Sequence, residues 1–217
     1  KELVKNYNPQ VEKNIFKSFF LTAAILGLWV ISASADTYGC YKYLVENGEV
    51  TITGVTSSGS FSGAQTIPGE ISGYPVTGIG YKAFSDCDSL TSITIPDNVT
   101  SIGRSAFGFC KNLTSITIPD SVTGIGEYAF YSCTSLTSIT ISDSVTSIND
   151  FTFARCRSVK SITIPDSVKT IGDRAFSECI NLRNITIPDG VTSINQKAFY
   201  DTAYYDNSSN WEYGILY

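Results

Sequence analysis

Along most of the chain, apolar residues fall in two spacings that recur together as one block every 23 residues. Each block opens on a valine (Val76, Val99, Val122, Val145, Val168 or Val191) and follows the pattern V-T-S-I-G-x-x-A-F-x-x-C-x-x-L-T-S-I-T-I-P-D-S. Alternation across I-T-I has the period of a strand with one face buried. The segment Leu90 to Ile95, with its counterparts from Leu113, Leu136, Val159 and Leu182, is therefore expected to be a short strand. Isoleucine points inward in each, and Thr94, Thr117, Thr140, Thr163 and Thr186 point outward. Val-Thr-Ser-Ile gives a second, shorter extended piece after the Pro-Asp turn. A period of this length predicts a solenoid, because no block can bury its apolar face alone and stacking builds one continuous core. The strands then form parallel ladders.

Comparing the blocks column by column refines this picture. Phe84, Phe107, Phe130, Phe153, Phe176 and Phe199 form one column, each preceded by alanine except at Thr152. A large ring beside a small neighbour suits a tightly packed buried turn. Another column holds Gly80, Gly103, Gly126, Asn149, Gly172 and Asn195, and the glycine-to-asparagine exchange predicts a left-handed backbone there. The residues from there to the cysteine are expected to make one helical or 3-10 turn, too short to stand without tertiary packing. Pro96, Pro119, Pro165 and Pro188 end the longer strands, and Ser142 alone replaces proline.

Leu90-x-x-Ile93-x-Ile95 matches the L-x-x-L-x-L core of leucine-rich repeats, but the usual Asn or Cys further on is met only by Asn98 and is replaced by Ser121, Ser144, Ser167 and Gly190. The cysteine instead stands three places before the leucine, after Ile-Gly-x-x-Ala-Phe-x-x. In this the chain resembles the BspA-like, or Treponema-type, leucine-rich repeat family from Gly69 to Phe199, with weaker similarity at Gly73 to Val76 and at Trp211 to Tyr217. The resemblance implies a leucine-rich-repeat solenoid, a β-rich α/β fold with parallel strand ladders and a short helical or 3-10 turn per repeat. It also implies a secreted or cell-surface, bacterial protein that mediates adhesion, with no shared catalytic residues.

The expected organisation has four parts: upstream residues and a signal peptide over 1–35, an N-terminal capping segment over 36–75, six repeats over 76–199 and a truncated C-terminal cap or linker over 200–217. Lys13 and Lys17 precede an apolar stretch from Phe19 to Ile31, and Ala33-Ser34-Ala35 offers the small-x-small cleavage pattern. The alternative is a membrane anchor over Ser18 to Ala35; with a cleaved leader, membrane contact is only transient. Without methionine, and with residues upstream of the leader, the chain reads as a fragment or an extended frame. Tyr41 to Val45 and Val50 to Thr53 flank Asn47-Gly48, a hairpin signal, and such a hairpin would cover the open end of the first repeat.

Charge and candidate chemistry narrow the function. From Asp36 onward eleven Lys and Arg face eighteen Asp and Glu, which argues against nucleic acid as a partner. Histidine is absent from the sequence, which removes Ser-His-Asp and Cys-His catalysis within it, and scattered carboxylates show no shared cleft. Five cysteines (Cys87, Cys110, Cys133, Cys156 and Cys179) occupy one column and are expected to be buried thiols rather than disulfides or metal ligands. Asp97, Asp120, Asp143, Asp166 and Asp189 are expected to bond their own turns, in preference to holding calcium. No cofactor is called for.

What packing does not dictate is the set of residues that vary beside each turn. Tyr81, Phe109, Tyr128, Tyr131 and Phe151, with Arg155 and Arg174 from a local basic group, are the candidate ligand-contact residues. Two arrangements are open for the rings: a jointly exposed strip, or rings folded back on neighbouring repeats, which the sequence slightly favours. The Ser/Thr-lined sheet is a second candidate face. The expected function is a non-catalytic adhesion module for host or bacterial surface proteins or glycans; the alternative is a passive spacer in a larger surface protein or exported enzyme.

Overall fold

The structure, a computed structural model, describes residues 36–58, 61–205, 211–212 and 215–216. The expected leader lies outside these residues. Antiparallel pairing comes first, with β1 (Asp36–Tyr38), β2 (Tyr41–Glu46) and β3 (Glu49–Val55). β2 and β3 form a hairpin in which Asn47 and Gly48 take the left-handed φ, 52° and 81°, that a tight two-residue turn demands. Then come β4 (Gly63–Thr66), β5 (Glu70–Ile71) and β6 (Tyr74–Ile79), and β3 pairs with β6 in parallel. Tyr41, Tyr43, Val50 and Ile52 of the hairpin are buried in the same core as the repeats.

Counting coils 1 to 6 from the six valines, coils 1 to 5 each add a strand to both of two parallel series, and coil 6 adds one to the shorter series alone. The remaining strands are β7 (Leu90–Thr94), β8 (Ser101–Ile102), β9 (Ser115–Thr117), β10 (Gly124–Ile125), β11 (Ser138–Thr140), β12 (Ser147–Ile148), β13 (Ser161–Thr163), β14 (Thr170–Ile171), β15 (Asn184–Thr186) and β16 (Ser193–Ile194). A final antiparallel pair joins β17 (Trp211–Glu212) to β18 (Ile215–Leu216). The longer strands stack as β4-β7-β9-β11 and then β13-β15; the shorter continue β3-β6-β8-β10 and then β12-β14-β16. Register is one residue type per rung, Ile93 beside Ile116 beside Ile139 and Thr94 beside Thr117 beside Thr140. The threonines are exposed and the isoleucines face the core, as the alternation requires.

Inside, the phenylalanine column is a stack of near-parallel rings. Successive centroids from Phe84 to Phe199 lie 5.2, 5.3, 5.3, 5.5 and 5.5 Å apart, the offset geometry aromatic pairs prefer. Phe61, one period before Phe84, extends the stack at 5.4 Å, although the columns around it no longer follow the repeat. Tyr41 closes one end edge-on and Tyr204 the other. The five column cysteines are buried, and the thiols of Cys110, Cys133, Cys156 and Cys179 donate to phenylalanine carbonyls of the preceding coil at 3.0 to 3.2 Å. Burial pushes Cys87 up to about 11, Cys133 and Cys179 up to about 12, and Cys110 and Cys156 upward as well.

Two expectations are corrected. Among the described residues there is no helix: the segment between the strands is a chain of tight turns. Nor is the glycine column left-handed, since Gly80, Gly103, Gly126 and Gly172 have no positive φ. Glycine stands there because successive coils touch: a Cβ on Gly103 would meet the Gly80 carbonyl carbon at 2.8 Å, and one on Gly126 the Arg104 nitrogen at 2.5 Å. That approach lets the Gly103 and Gly126 N–H groups donate to Ile79 and Ile102 at 2.7 Å.

Both strand ladders stop at one junction, between coils 3 and 4. Thr123 N–H donates to Thr100 and Lys169 N–H to Thr146, but among the described residues Thr146 makes no such bond back to Thr123. Likewise Lys160 makes none to Thr137, and Ile141 none to Thr163, though the equivalent bonds exist on either side. Ile139 is half-buried where Ile93, Ile116 and Ile162 are buried. At this junction Asn149 brings a Cβ into the tight column, and its Nδ2, not its N–H, reaches the Ile125 carbonyl at 2.6 Å. Asn195 keeps its backbone bond to Ile171 at 3.0 Å, so the Cβ alone does not open a ladder. The junction also has Ser142 for proline and Thr152 for alanine.

Candidate binding surface

The variable residues sit on a third ladder, made by the turns. Within coil 1, Ala83, Ser85 and Cys87 donate three residues back to Gly80, Lys82 and Phe84, while Lys82, Phe84 and Asp86 donate across to Arg104, Ala106 and Gly108 of coil 2. This alternation repeats along the solenoid and needs a left-handed residue twice per coil. Lys82, Ser105, Tyr128, Phe151 and Arg174 fill the first such column, with φ from 51° to 58°. Asp86, Phe109, Ser132, Arg155, Glu178 and Asp201 fill the second, with φ from 57° to 63°. A side chain in this region costs about 1–2 kcal/mol relative to the right-handed form, a penalty glycine avoids. Yet no glycine occupies either column.

In coils 2 to 5 residues at these positions and beside them form one connected cluster. Tyr128 and Phe151 stack face to face at 4.6 Å and 7°. The Arg104 guanidinium covers the other face of Tyr128 at 5.1 Å, and Arg174 that of Phe151 at 5.4 Å. Tyr131 leans on Tyr128 at 5.6 Å, meets Phe109 edge-on at 5.3 Å and carries Arg155 at 5.5 Å. Glu178 binds Arg155 at 3.0 Å and Arg157 at 3.5 Å, and the hydrogen bond that Arg155 donates to the Glu178 carboxylate raises the Arg155 pKa. Arg104 pairs with Glu127 at 3.0 Å.

Six of the seven sequence candidates thus meet in one place: Phe109, Tyr128, Tyr131, Phe151, Arg155 and Arg174. Tyr81 is exposed and stands apart from this cluster, with the Lys82 ammonium over its ring at 5.3 Å. Arg104 was not among the candidates, although it belongs to the variable pair beside the turn. The rings do fold onto neighbouring repeats, yet Tyr128, Tyr131 and Phe151 stay partly exposed and Phe109 is 42% exposed. Both faces of Tyr128 and Phe151 are covered, by each other and by Arg104 and Arg174, which suits contact with a protein surface better than stacking on a sugar ring.

The sheet on another side carries a groove of about 650 Å³ lined by Ser92, Thr94, Thr117, Thr140 and three column aspartates, among others. Here a third expectation fails. Asp97, Asp120 and Asp143 make no hydrogen bond or ion pair among the described residues; Val99 N–H closes the first turn on the Pro96 carbonyl instead. At Ser142 the turn serine itself accepts the Ser144 N–H at 3.0 Å.

Stacked parallel coils with a phenylalanine spine define a repeat solenoid, and the family follows from the repeat itself. The model of the BspA type leucine rich repeat region matches residues 77–205 in six copies, and the chain belongs to this family. It is similar to the crystal structure of a leucine rich cell surface protein from Faecalibacterium prausnitzii, at 39% identity and a TM-score of 0.71. That match covers 79% of this chain and 47% of the other, so the chain spans about half of that protein. A leucine rich repeat protein of T. pallidum is 28% identical with a TM-score of 0.65, over 75% of this chain and 82% of its own. No curated protein matches.

Proposed function

We propose that this chain is a non-catalytic binding module of a secreted or cell-surface protein, and that the cluster around Tyr128 and Phe151 is where a partner protein is held. The observation that carries the reading is the retention of bulky side chains in left-handed positions. Each such residue costs stability that a glycine would spare, and five of the eleven, Phe109, Tyr128, Phe151, Arg155 and Arg174, are of the types that dominate protein interfaces. Cell-surface placement is supported by the description of the Faecalibacterium relative and by the leader-like sequence before Asp36. A passive spacer is the competing reading. It draws on the rings satisfying one another, which makes them mortar between coils.

Labelled chain titrated onto intact bacterial or host cells separates the two. Saturable binding, competed by unlabelled chain, is expected of the module; a linear, non-competed signal on every cell type contradicts it.

A further inference from the structure

We propose that the junction between coils 3 and 4 is a hinge, pivoting on the turn side and opening on the strand side. Elsewhere in coils 1 to 5 each pair of neighbouring coils is joined by three backbone ladders, two of strands and one of turns, while coil 6 carries a short strand alone and continues a single strand ladder. At this junction the two strand ladders are interrupted together, at Thr146, Lys160 and Ile141. The turn ladder is intact: Tyr128, Phe130 and Ser132 donate to Asp150, Thr152 and Ala154 at 3.1, 2.9 and 2.9 Å. Rings hold the same side, with Tyr128 against Phe151 at 4.6 Å on the surface and Phe130 against Phe153 at 5.3 Å in the core.

Bonds on one side only make a joint with a preferred axis. Separating the coils at the turn side breaks three backbone bonds and two ring contacts. Spreading them at the strand side meets no continuous ladder, since the rungs at Thr146, Lys160 and Ile141 are missing among the described residues. Two side chains still tie the coils there, Asn149 on the Ile125 carbonyl at 2.6 Å and the Ser158 hydroxyl on the Thr134 carbonyl at 2.7 Å, and their rotamers allow movement that a backbone rung does not. The sequence departures gather at this point too, with Ser142 freeing a turn that proline stiffens in other coils. Bending would change the angle between the groove over coils 1 to 3 and the basic half beyond it. Because the pivot is the ring stack assigned above to partner contact, a partner gripping Tyr128 and Phe151 together fixes the bend; that last step rests on the binding reading.

Amide hydrogen exchange on the full chain, resolved by residue and without any partner, tests the hinge independently of that reading. The amides of Ile141, Thr146 and Lys160 are expected to be at least about tenfold less protected than Ile118, Thr123 and Thr137, one coil earlier, which corresponds to a missing hydrogen bond. Tyr128, Phe130 and Ser132 are expected to match Ser105, Phe107 and Phe109 within about twofold. In Asn149→Gly, which removes the Cβ and lets the backbone N–H return to Ile125, protection at Thr146 is expected to rise toward that of Thr123. Uniform strand protection across coils 2 to 5 overturns the hinge. So does equal loss at the turn amides, which would mean that the whole junction frays rather than pivots.

Discussion

Coils 1 to 3 and coils 4 to 6 are built on one sequence template, yet they differ in charge and meet where both strand ladders are interrupted. From Val76 to Ser144 there are three Lys and Arg against six Asp and Glu; from Val145 to Phe199 there are seven against five. In the first half both ladders run unbroken from the N-terminal strands, while in the second they start afresh at β12 and β13. The phenylalanine stack, by contrast, crosses the boundary with no change of spacing, 5.3 Å on both sides of Phe130. Core and surface therefore follow different rules. Buried columns admit little variation because each ring packs on the next, whereas the strand rungs can be lost locally without interrupting the core.

Raising the pH is expected to have the largest effect, and it acts on both halves alike. Burial raises the five column thiols in the folded chain, so the unfolded chain releases their protons first. Their contribution is intact below the unfolded thiol pKa of about 8.5 and is lost as pH climbs toward the folded values, at about 1.4 kcal/mol per thiol per pH unit. Urea unfolding midpoints between pH 7 and 10 should fall steeply above pH 9. A flat profile would place the thiols in contact with solvent.

Phe107→Ala and Phe153→Ala, compared by urea unfolding, probe whether the core is one structure across the boundary. Each ring is fully buried, and each truncation should cost about 3–5 kcal/mol. If Phe153→Ala costs less than half as much as Phe107→Ala, the second half is already loosely packed. The next contrast is smaller and isolates the close approach of coils. Gly126→Ala forces a Cβ against Arg104 backbone and should cost about 1–3 kcal/mol, while Asn149→Ala loses one side-chain hydrogen bond and should cost about 1 kcal/mol. Equal costs would show that the two junctions are packed alike.

Much of this architecture was legible in the chain. The 23-residue columns placed the strands, the inward isoleucines, the phenylalanine spine and the buried cysteines, because each follows from burial repeated at a fixed period. The turns were harder. Glycine serves both a left-handed residue and a coil that passes too close for a Cβ, and the column at Gly80 belongs to the second kind. The left-handed positions fell instead on Tyr128, Phe151 and their column mates, where no residue type signals it. Phe61 could have been found by stepping one period back from Phe84. Ser142, Thr152 and Asn149 were visible as exceptions, but that they share one junction is a property of the fold: strand, turn and glycine column lie far apart in the sequence pattern and come together only when the coil closes.

The central claim is that side chains held at energetic cost on the turn ladder are there for a partner. The direct test is Tyr128→Ala combined with Phe151→Ala, read by cell-surface binding and by urea unfolding on the same preparations. Loss of the stacked pair should cost about 0.5–1.5 kcal/mol of stability, leave the chain folded, and reduce binding at least about tenfold, as expected for central aromatic anchors. Undiminished binding by the folded double variant would contradict it.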